Sequence, residues 1–166
     1  MSTIEVFDDL VKRTSFSSDD ELLAFFDSLP VLTVEEMLSK WKGGDFKTGH
    51  WAEEELKNTK WFGKWFKTDL DGIPLVSYND EGNLYSNLMM NGQSSLWMIE
   101  FRGKVSATMV YDGVPIFDHF RKVDENTVMG VMNGKHVEGR PDIVSDGRYY
   151  FFYLERIKEF PVEFVG

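Results

Sequence analysis

Apolar and polar side chains alternate most clearly across residues 104–121, on either side of the dipeptide Asp112-Gly113. Asp-Gly between two alternating runs is a strong signal for a β-hairpin. A two-residue turn would pair Tyr111 with Val114 and place every second residue of both strands on one face. That face is carbon-rich apart from one carboxylate, and its members are Val105, Ala107, Met109, Tyr111, Val114, Ile116, Asp118 and Phe120. We expect this face to line a protein interior and the opposite face to be the wetter one.

Residues 1–40 carry apolar side chains at helical spacing and predict helices. A first helix is predicted over residues 3–13, with acidic residues early and basic residues late, as the helix dipole prefers. A second helix ends at Pro30. Thr33 and Glu36 have the spacing of a capping box, which predicts a short third helix. We expect these helices to cover one end or flank of the structure that follows.

Residues 41–66 are rich in Trp and Gly. The glycines predict a bend or a close approach of backbone to a ring at the start of this module, followed by a weakly helical stretch. The module ends in a short predicted strand, in which Trp61, Gly63 and Trp65 are expected on one side.

After residue 66, short apolar runs are separated by turn-forming residues. The breaks fall at residues 71–72, 79–82, 91–92, 102–103, 112–113, 124–126, 133–134 and 146–147. Their spacing is typical of an antiparallel meander of about eight to ten strands, the last predicted over residues 159–164. An open sheet of this size would leave long unpaired edges, whereas closure into a barrel removes them. The loop over residues 134–146 is a candidate flap.

The pattern therefore predicts one domain over residues 1–166, with a helical segment (1–40), a Trp/Gly-rich module (41–66) and strands that complete a barrel (67–166). We expect the barrel to enclose a mostly apolar cavity, because barrels of this size are filled by side chains or hold one small ligand.

Composition and charge narrow the possible partners. Apolar residues make up 42% and aromatic residues 15% of the chain, which indicates a well-ordered core. A formal net charge of −10 repels phosphate backbones and anionic membrane surfaces, so we expect no nucleic-acid partner and no stable membrane insertion. There is no Cys, hence no disulfide framework and no Cys-based zinc site. The first residues lack the features of a signal peptide, and we expect a cytoplasmic location.

Two motifs carry a family resemblance. Trp41-Lys-Gly-Gly-Asp-Phe-Lys-Thr-Gly-His50, followed by Trp61-Phe-Gly-Lys-Trp-Phe66, resembles the N-terminal module of the G-x-W-x-G family, with Ser39 in the place of the first Gly. The run from residue 109 to 124, continued over 127–132, resembles the domain of unknown function that usually follows that module.

The resemblance extends over roughly residues 30–156. It implies a small, largely β domain similar to the calycin-like barrels, with no settled activity, no named cofactor and no catalytic residue to carry over. The predicted fold class is accordingly mainly β (α+β), a single antiparallel calycin-like barrel with two or three N-terminal helices over one end or flank.

Asp118 is the most informative polar residue, because it is the one carboxylate on the apolar face of the hairpin. It either presents a carboxylate to the cavity, with a raised pKa or a ligand donor as partner, or is a structural acid bonded to Tyr, Trp or backbone N–H groups. His119 points to the opposite face, so the two side chains cannot form a dyad within one pocket.

Other candidate sites have simpler alternatives. His50 could guard the barrel mouth, bind haem iron or another metal, or be a structural histidine, and no second ligand stands at recognisable spacing. Asp69-Leu-Asp-Gly72 begins like a calcium loop, but Asp80 stands where the closing Glu belongs, which favours a plain turn. The sequence thus predicts no metal site.

Three functions stay open, because the motifs of the standard enzyme classes are absent from the sequence. The first is a binding protein for a hydrophobic small molecule, such as a fatty acid, lipid or tetrapyrrole. Its candidate ligand-binding residues are Asp118, Tyr111, Met109, Phe120, Trp41, His50, Trp61 and Trp65. The second is an isomerase- or cyclase-like enzyme with Asp118 as general acid or base. The third is an interaction module that uses the Trp-rich segment, through which weak self-association is a further alternative.

Overall fold

The structure, a computed structural model, describes all residues of the chain. Its helical elements are α1 (Thr3–Lys12), α2 (Asp20–Ser28), α3 (Trp51–Asn58) and a single 3-10 turn (Glu35–Met37). Thr33 and Glu36 form the reciprocal hydrogen bonds of a capping box ahead of that turn. None of these helices is both long enough and apolar enough to cross a bilayer.

Nine antiparallel strands form one sheet. They are β1 (Lys40–Asp45), β2 (Trp61–Thr68), β3 (Asp71–Tyr78), β4 (Leu84–Ser86), β5 (Ser94–Phe101), β6 (Lys104–Tyr111), β7 (Ile116–Asp124), β8 (Thr127–Gly134) and β9 (Tyr150–Ile157). Their order is β2-β1-β9-β8-β7-β6-β5-β3-β4, and β2 also pairs with β3. Eight strands therefore close into a ring, and β4 extends β3 outside it. The predicted single antiparallel, calycin-like barrel of about eight to ten strands with two or three N-terminal helices is confirmed.

The barrel contains one strand where the sequence predicted a bend or a close approach of backbone to a ring, and the second alternative is correct. Lys40–Asp45 is β1, which joins β2 to β9. Its glycines do not bend the chain. A Cβ at Gly43 would overlap the ring of Trp61, and one at Gly44 would overlap the ring of Tyr153, so both glycines make room for rings packed on the strand.

The predicted last strand, residues 159–164, is not a strand. Phe164 makes only an isolated bridge to Leu84. The segment instead packs aromatic rings on the outer surface of β2, where Phe160 and Phe164 meet the ring of Trp65 edge-on.

The central hairpin is present, with a longer turn than predicted. Met109 pairs with Asp118, so the connection has four residues, 112–115, rather than two. Pro115 lacks an N–H group and cannot extend the ladder toward the turn. The register differs from the prediction by two positions, and a shift of two leaves every side chain on its predicted face. Asp118 therefore still faces the interior.

The opposite face of β6 and β7 is buried rather than wet, which corrects the prediction. His119 is 3% exposed, and its ring stacks on that of Phe101 at 4.1 Å between centroids. Its Nδ1 donates to the hydroxyl of Thr108 at 3.0 Å, and its Nε2 accepts from the side-chain amide of Asn133 at 3.3 Å. The helices α1 and α2 supply the cover that the alternation could not indicate, in a second core cluster built on β7, β8 and β9.

The end of the barrel away from the central turn is closed by the segment that follows α2. The backbone N–H groups of Ala107 and Lys122 donate to the carbonyls of Leu32 and Pro30, and Leu32 N–H donates to the hydroxyl of Ser106. This segment therefore lies between β6 and β7 where the two strands separate. Val105, predicted to face the interior, is 51% exposed at this end.

Strand β2 is irregular, and the irregularity decides which side chains enter the barrel. Its pairing with β3 shifts on both sides of Gly63. Phe62 and Trp65 lie in the outer aromatic cluster although they are three positions apart, whereas Trp61 and Lys64 line the interior. The predicted common side for Trp61 and Trp65 is wrong because a bulge re-aims the residues around it.

Candidate functional site

A cavity of about 250 Å³ lies inside the barrel at the end that carries the turn between β6 and β7. Its walls come from six barrel strands, from α3 and from residues of the loops before β5 and before β9, and 13 of its 18 lining residues are hydrophobic. The loop predicted as a flap contributes Arg140, Pro141 and Ile143 to this wall. The sequence thus folds into a barrel that is solid at one end and hollow at the other.

A buried ion pair lies in the wall of the cavity. The ammonium of Lys64 on β2 is 3.0 Å from Oδ2 of Asp118 on β7, and both residues are 2% exposed. In the ring of eight strands, β2 and β7 are four positions apart in either direction. The pair therefore joins opposite walls of the barrel across its interior. Lys64 also donates to the carbonyl oxygen of Pro74 at 3.1 Å.

Burial opposes the charge on both members of this pair. Loss of hydration lowers the pKa of Lys64 and raises the pKa of Asp118, and the attraction between the two groups only partly reverses either shift. The neutral forms are therefore closer in free energy to the charged forms than they are in water. Transfer of a proton from the ammonium to the carboxylate therefore costs less here than it does in water.

The pair leaves hydrogen-bonding capacity unused. Oδ1 of Asp118 is buried without a partner in the chain. The ammonium of Lys64 has three donors, of which Asp118 and Pro74 occupy two. An unpartnered buried acceptor costs roughly 1–3 kcal/mol. One acceptor and one donor are thus available to a molecule in the cavity.

Aromatic rings surround the ammonium of Lys64. The ring centroids of Trp61, Tyr111 and Phe152 lie 5.7, 5.8 and 5.4 Å from its Nζ. Burial raises the pKa of Tyr111 well above its ordinary value, so its phenol is neutral at physiological pH. The polar end of the cavity therefore combines an amine, a carboxyl and a phenol within an apolar wall.

The rim is held by the start of α3. His50 is the N-cap of that helix; its Nδ1 accepts from the N–H of Ala52 at 3.1 Å, and its Nε2 donates to the carbonyl of Ile143 at 2.8 Å. Trp51 donates from its indole nitrogen to the carbonyl of Asp142 at 2.8 Å. Burial lowers the pKa of His50, which favours the neutral ring that these two contacts require. Both side chains tie the loop before β9 to α3.

Three of the predicted ligand-binding residues line the cavity, namely Asp118, Tyr111 and Trp61. Five do not. Met109, Phe120 and Trp41 belong to the solid part of the interior core. His50 lies behind the rim, and Trp65 packs outside the barrel.

Sequence reasoning missed Lys64, the partner of Asp118. Lys64 is the one charged residue in the aromatic stretch Trp61-Phe-Gly-Lys-Trp-Phe66. A charge among so many aromatic residues in a predicted strand was the signal that the sequence offered. The inward direction of Lys64 depends on the bulge at Gly63, which the alternation of side chains does not show.

The structure offers no group of three or more His, Asp or Glu side chains placed to hold a metal ion. The residues Asp69 to Gly72, which resemble the start of a calcium loop, form the turn between β2 and β3 and the first residues of β3. His50 has both ring nitrogens engaged within the chain.

The fold and the site define a calycin-like barrel with an apolar cavity built around a buried Lys-Asp pair. Comparison with protein families gives two matches, to "GXWXG protein" over residues 24–82 and to "Domain of unknown function (DUF4334)" over residues 92–156. The chain belongs to the GXWXG family and carries this second domain after the GXWXG module.

A solved structure of similar sequence shares this fold. It is the crystal structure of a protein from Thermomonospora curvata, whose sequence is 30% identical to that of this chain. The two structures superpose with a TM-score of 0.80, and the match covers 95% of this chain and 100% of the other. No curated protein matches the chain.

The structure gives a physical reason for part of the family motif. The stretch Ser39-x-Trp41-x-Gly43 enters β1, where Trp41 is fully buried and donates from its indole nitrogen to the carbonyl of Met37 at 2.9 Å. Gly43 leaves the space that the ring of Trp61 occupies beside the cavity. The motif thus positions one side chain in the solid core and another in the cavity wall.

Proposed function

We propose that the protein binds a small apolar molecule inside the barrel and orients it by the Lys64–Asp118 pair and Tyr111. The observation that carries this proposal is the apolar cavity whose wall contains one buried acceptor and one buried donor that no protein group uses. Enclosed apolar sites with a few polar groups are the usual form of a small-molecule site.

The polar groups indicate what the ligand carries at its inner end. A hydroxyl could donate to Oδ1 of Asp118 and accept from Lys64, and a carbonyl could accept from Lys64 or from the phenol of Tyr111. A carboxylate at this position would be repelled by Asp118. A fatty acid would therefore place its carboxylate at the rim, where Arg140 lines the cavity and makes no ion pair.

The volume favours a small ligand. About 250 Å³ is below the usual range of roughly 300–1,000 Å³ for ligand pockets. Of the ligand classes suggested by the sequence, a fatty-acyl or other lipid chain of modest length suits the cavity better than a tetrapyrrole.

Two measurements test the proposal together. Native mass spectrometry of protein purified from cells is expected to show a co-purified apolar molecule. A lipophilic fluorophore is expected to bind to the protein, and the co-purified molecule is expected to displace the fluorophore. Tyr111→Phe, which removes a hydroxyl from the cavity, is expected to alter affinity. Trp65→Phe, outside the barrel, is the matched control. A chain that is empty as purified and takes up no fluorophore would contradict the proposal.

A second candidate function is an isomerase- or cyclase-like reaction with Asp118 as general acid or base. The raised pKa of Asp118 and its free Oδ1 favour this candidate, because an acid–base catalyst needs a pKa shifted toward the working pH and access to the substrate. With the co-purified ligand or a close analogue as substrate, Asp118→Asn is expected to abolish turnover and retain binding. Unchanged turnover in that variant would exclude Asp118 from the chemistry.

The remaining expectations about partners follow from charge and exposure. A net charge of −10 supports the absence of a nucleic-acid partner, and a cytoplasmic location agrees with the lack of Cys. A role as an interaction module has less support, because Trp41 is fully buried and Trp65 packs against the C-terminal rings.

A further inference from the structure

Lys64 is a primary amine inside an apolar cavity. It is the one lysine of the chain's twelve that is buried. Its ammonium is enclosed by the rings of Trp61, Tyr111 and Phe152, and two of its three donors are used within the chain. Lys64 also lines the cavity, so a molecule held there lies beside this side chain.

Asp118 is placed to take the proton that keeps this amine unreactive. Its Oδ2 is 3.0 Å from the nitrogen, within hydrogen-bond reach, and burial disfavours the charges on both groups. Transfer of the proton from the ammonium to the carboxylate gives a neutral amine beside a carboxylic acid. A desolvated amine next to an acid is the arrangement that lysine nucleophiles use against carbonyl compounds.

We propose that Lys64 forms a Schiff base with an apolar aldehyde or ketone that enters the cavity. The inference rests on the proposed function, since it requires that the cavity admit a ligand. Nζ attacks the carbonyl carbon, the carbonyl oxygen takes a proton from Asp118, and the nitrogen returns one of its two protons to the carboxylate, which gives a neutral carbinolamine. Asp118 then donates this proton to the hydroxyl, which leaves as water. The remaining N–H proton of the iminium passes to Asp118, which leaves the neutral imine. One water is released for each carbonyl bound, and no oxidant or reductant takes part.

The cavity also contains a hydrogen-bond donor for the carbonyl oxygen of such a ligand. The phenol of Tyr111, neutral because of its burial, lines the same cavity and can donate to a carbonyl oxygen held near Lys64. Apolar walls favour a hydrocarbon substituent and limit the access of water that would hydrolyse the imine. The substrate class is thus an apolar carbonyl compound of modest size.

The test compares octanal with 1-octanol on the full-length chain. The protein is incubated with octanal and sodium cyanoborohydride, which reduces an imine to a stable amine, and the product is analysed by intact mass and by peptide mapping. We expect one adduct per chain, located at Lys64 and formed roughly tenfold faster than adducts at the exposed lysines. Excess 1-octanol, which can fill the cavity but cannot form an imine, is expected to suppress labelling of Lys64 alone.

Two variants and one condition serve as controls. Lys64→Arg retains the positive charge beside Asp118 but has no amine that forms a Schiff base, and is expected to give no selective adduct. Lys64→Met combined with Asp118→Leu serves the same purpose if the arginine variant does not fold, because it leaves no unpaired buried charge. In wild-type protein unfolded by urea, labelling is expected to spread over the twelve lysines.

The outcomes separate this inference from the proposed function. If octanal and 1-octanol both displace a bound lipophilic fluorophore but no adduct forms at Lys64, the Schiff base is excluded and the binding function stands. Labelling that is spread evenly over the exposed lysines of the folded chain has the same meaning. If neither compound displaces the fluorophore and Lys64 is not labelled, both proposals fail.

Discussion

At the residue scale, the Lys64–Asp118 pair is the feature on which the interior most depends. Two charges removed from water are tolerated because each is the partner of the other, and removal of one leaves the other unpaired. Replacement of both by apolar residues removes the penalty altogether. Loss of one partner therefore destabilises the fold, whereas the pair as a whole does not make the fold more stable than apolar residues would.

We predict that Lys64→Met lowers the free energy of unfolding by about 3–5 kcal/mol at pH 7, and that Lys64→Met combined with Asp118→Leu restores most of it. Urea unfolding of wild type, both single variants and the double variant measures this. A double variant that is as unstable as the sum of the two single variants would contradict the coupling.

The pH dependence of the Lys64→Met variant follows from the same reasoning. Without its lysine, Asp118 keeps a pKa raised by burial, so the folded state retains a proton that the unfolded state loses above its ordinary pKa of about 4. Stability of this variant is therefore expected to be highest at low pH and to fall as the pH rises toward neutrality.

His119 gives the opposite dependence. Burial, with a smaller contribution from Arg121, lowers its pKa to about 4. Between an unfolded pKa of about 6.5 and that value, the unfolded chain binds a proton that the folded chain does not, so stability falls as the pH drops. His119→Gln is predicted to reduce the loss of stability over this interval, measured by urea unfolding at several pH values. His136→Gln, on the exposed loop, is the control, and an equal effect of both would contradict the assignment.

The direction of Asp118 could be predicted from the sequence, and that of Lys64 could not. Asp118 lies in a regular strand, where a register error of two positions does not move a side chain to the other face. Lys64 lies next to a bulge, where the alternation of faces breaks down. The inward direction of Asp118 was therefore predictable. That of Lys64 depended on the bulge near Gly63, which the alternation of apolar and polar residues does not show.

At the scale of elements, β1 and β2 are in close backbone contact at Gly63. A Cβ at Gly63 would overlap the carbonyl oxygen of Trp41, which is backbone and cannot turn aside. Gly63→Ala is therefore predicted to destabilise the fold by about 1–3 kcal/mol or more. Gly82→Asn, in an exposed turn with φ of +81°, is expected to cost much less because Asn tolerates this conformation. Thermal unfolding compares the two, and equal losses would contradict the prediction.

The rim offers a second prediction at this scale, because His50 has two tasks that one substitution can separate. Asn can cap the helix but is too short to reach the carbonyl of Ile143. Ala can neither cap the helix nor bind that carbonyl. His50→Asn is predicted to retain near wild-type stability and to release a bound fluorophore faster, and His50→Ala to lose about 1 kcal/mol of stability in addition. Stopped-flow dissociation and urea unfolding measure the two effects. Identical behaviour of both variants would contradict the division.

The sequence predicted the helices, most strands and their turns, because these depend on local spacing. It did not predict that residues 40–45 form a strand, although one of its two alternatives for the glycines, a close approach of backbone to a ring, is what Gly43 and Gly44 show with Trp61 and Tyr153. It also did not predict that α1 and α2 bury the second face of β7. Both features depend on partners distant in the sequence.

At the scale of the whole molecule, the barrel is filled at one end and hollow at the other. Ile116→Phe extends a side chain into the cavity, and we predict unchanged or increased stability with at least about a tenfold loss of fluorophore affinity. Leu154→Phe makes a similar change in the solid core and is predicted to cost about 1–3 kcal/mol. If Ile116→Phe destabilises as much as Leu154→Phe, the cavity does not have the space described.

The ion pair that joins β2 to β7 has a consequence for how a guest would be selected. The cavity lies at one end of the barrel, the Lys64–Asp118 pair crosses the interior, and the segment after α2 lies at the other end. The group at the inner end of a bound molecule would therefore be the part that contacts the amine of Lys64 and the carboxyl of Asp118. If the proposed binding function holds, such a site would discriminate between functional groups at the inner end of a ligand more strongly than between hydrocarbon chains at the other end, and the ligands would form a set of compounds that share one functional group.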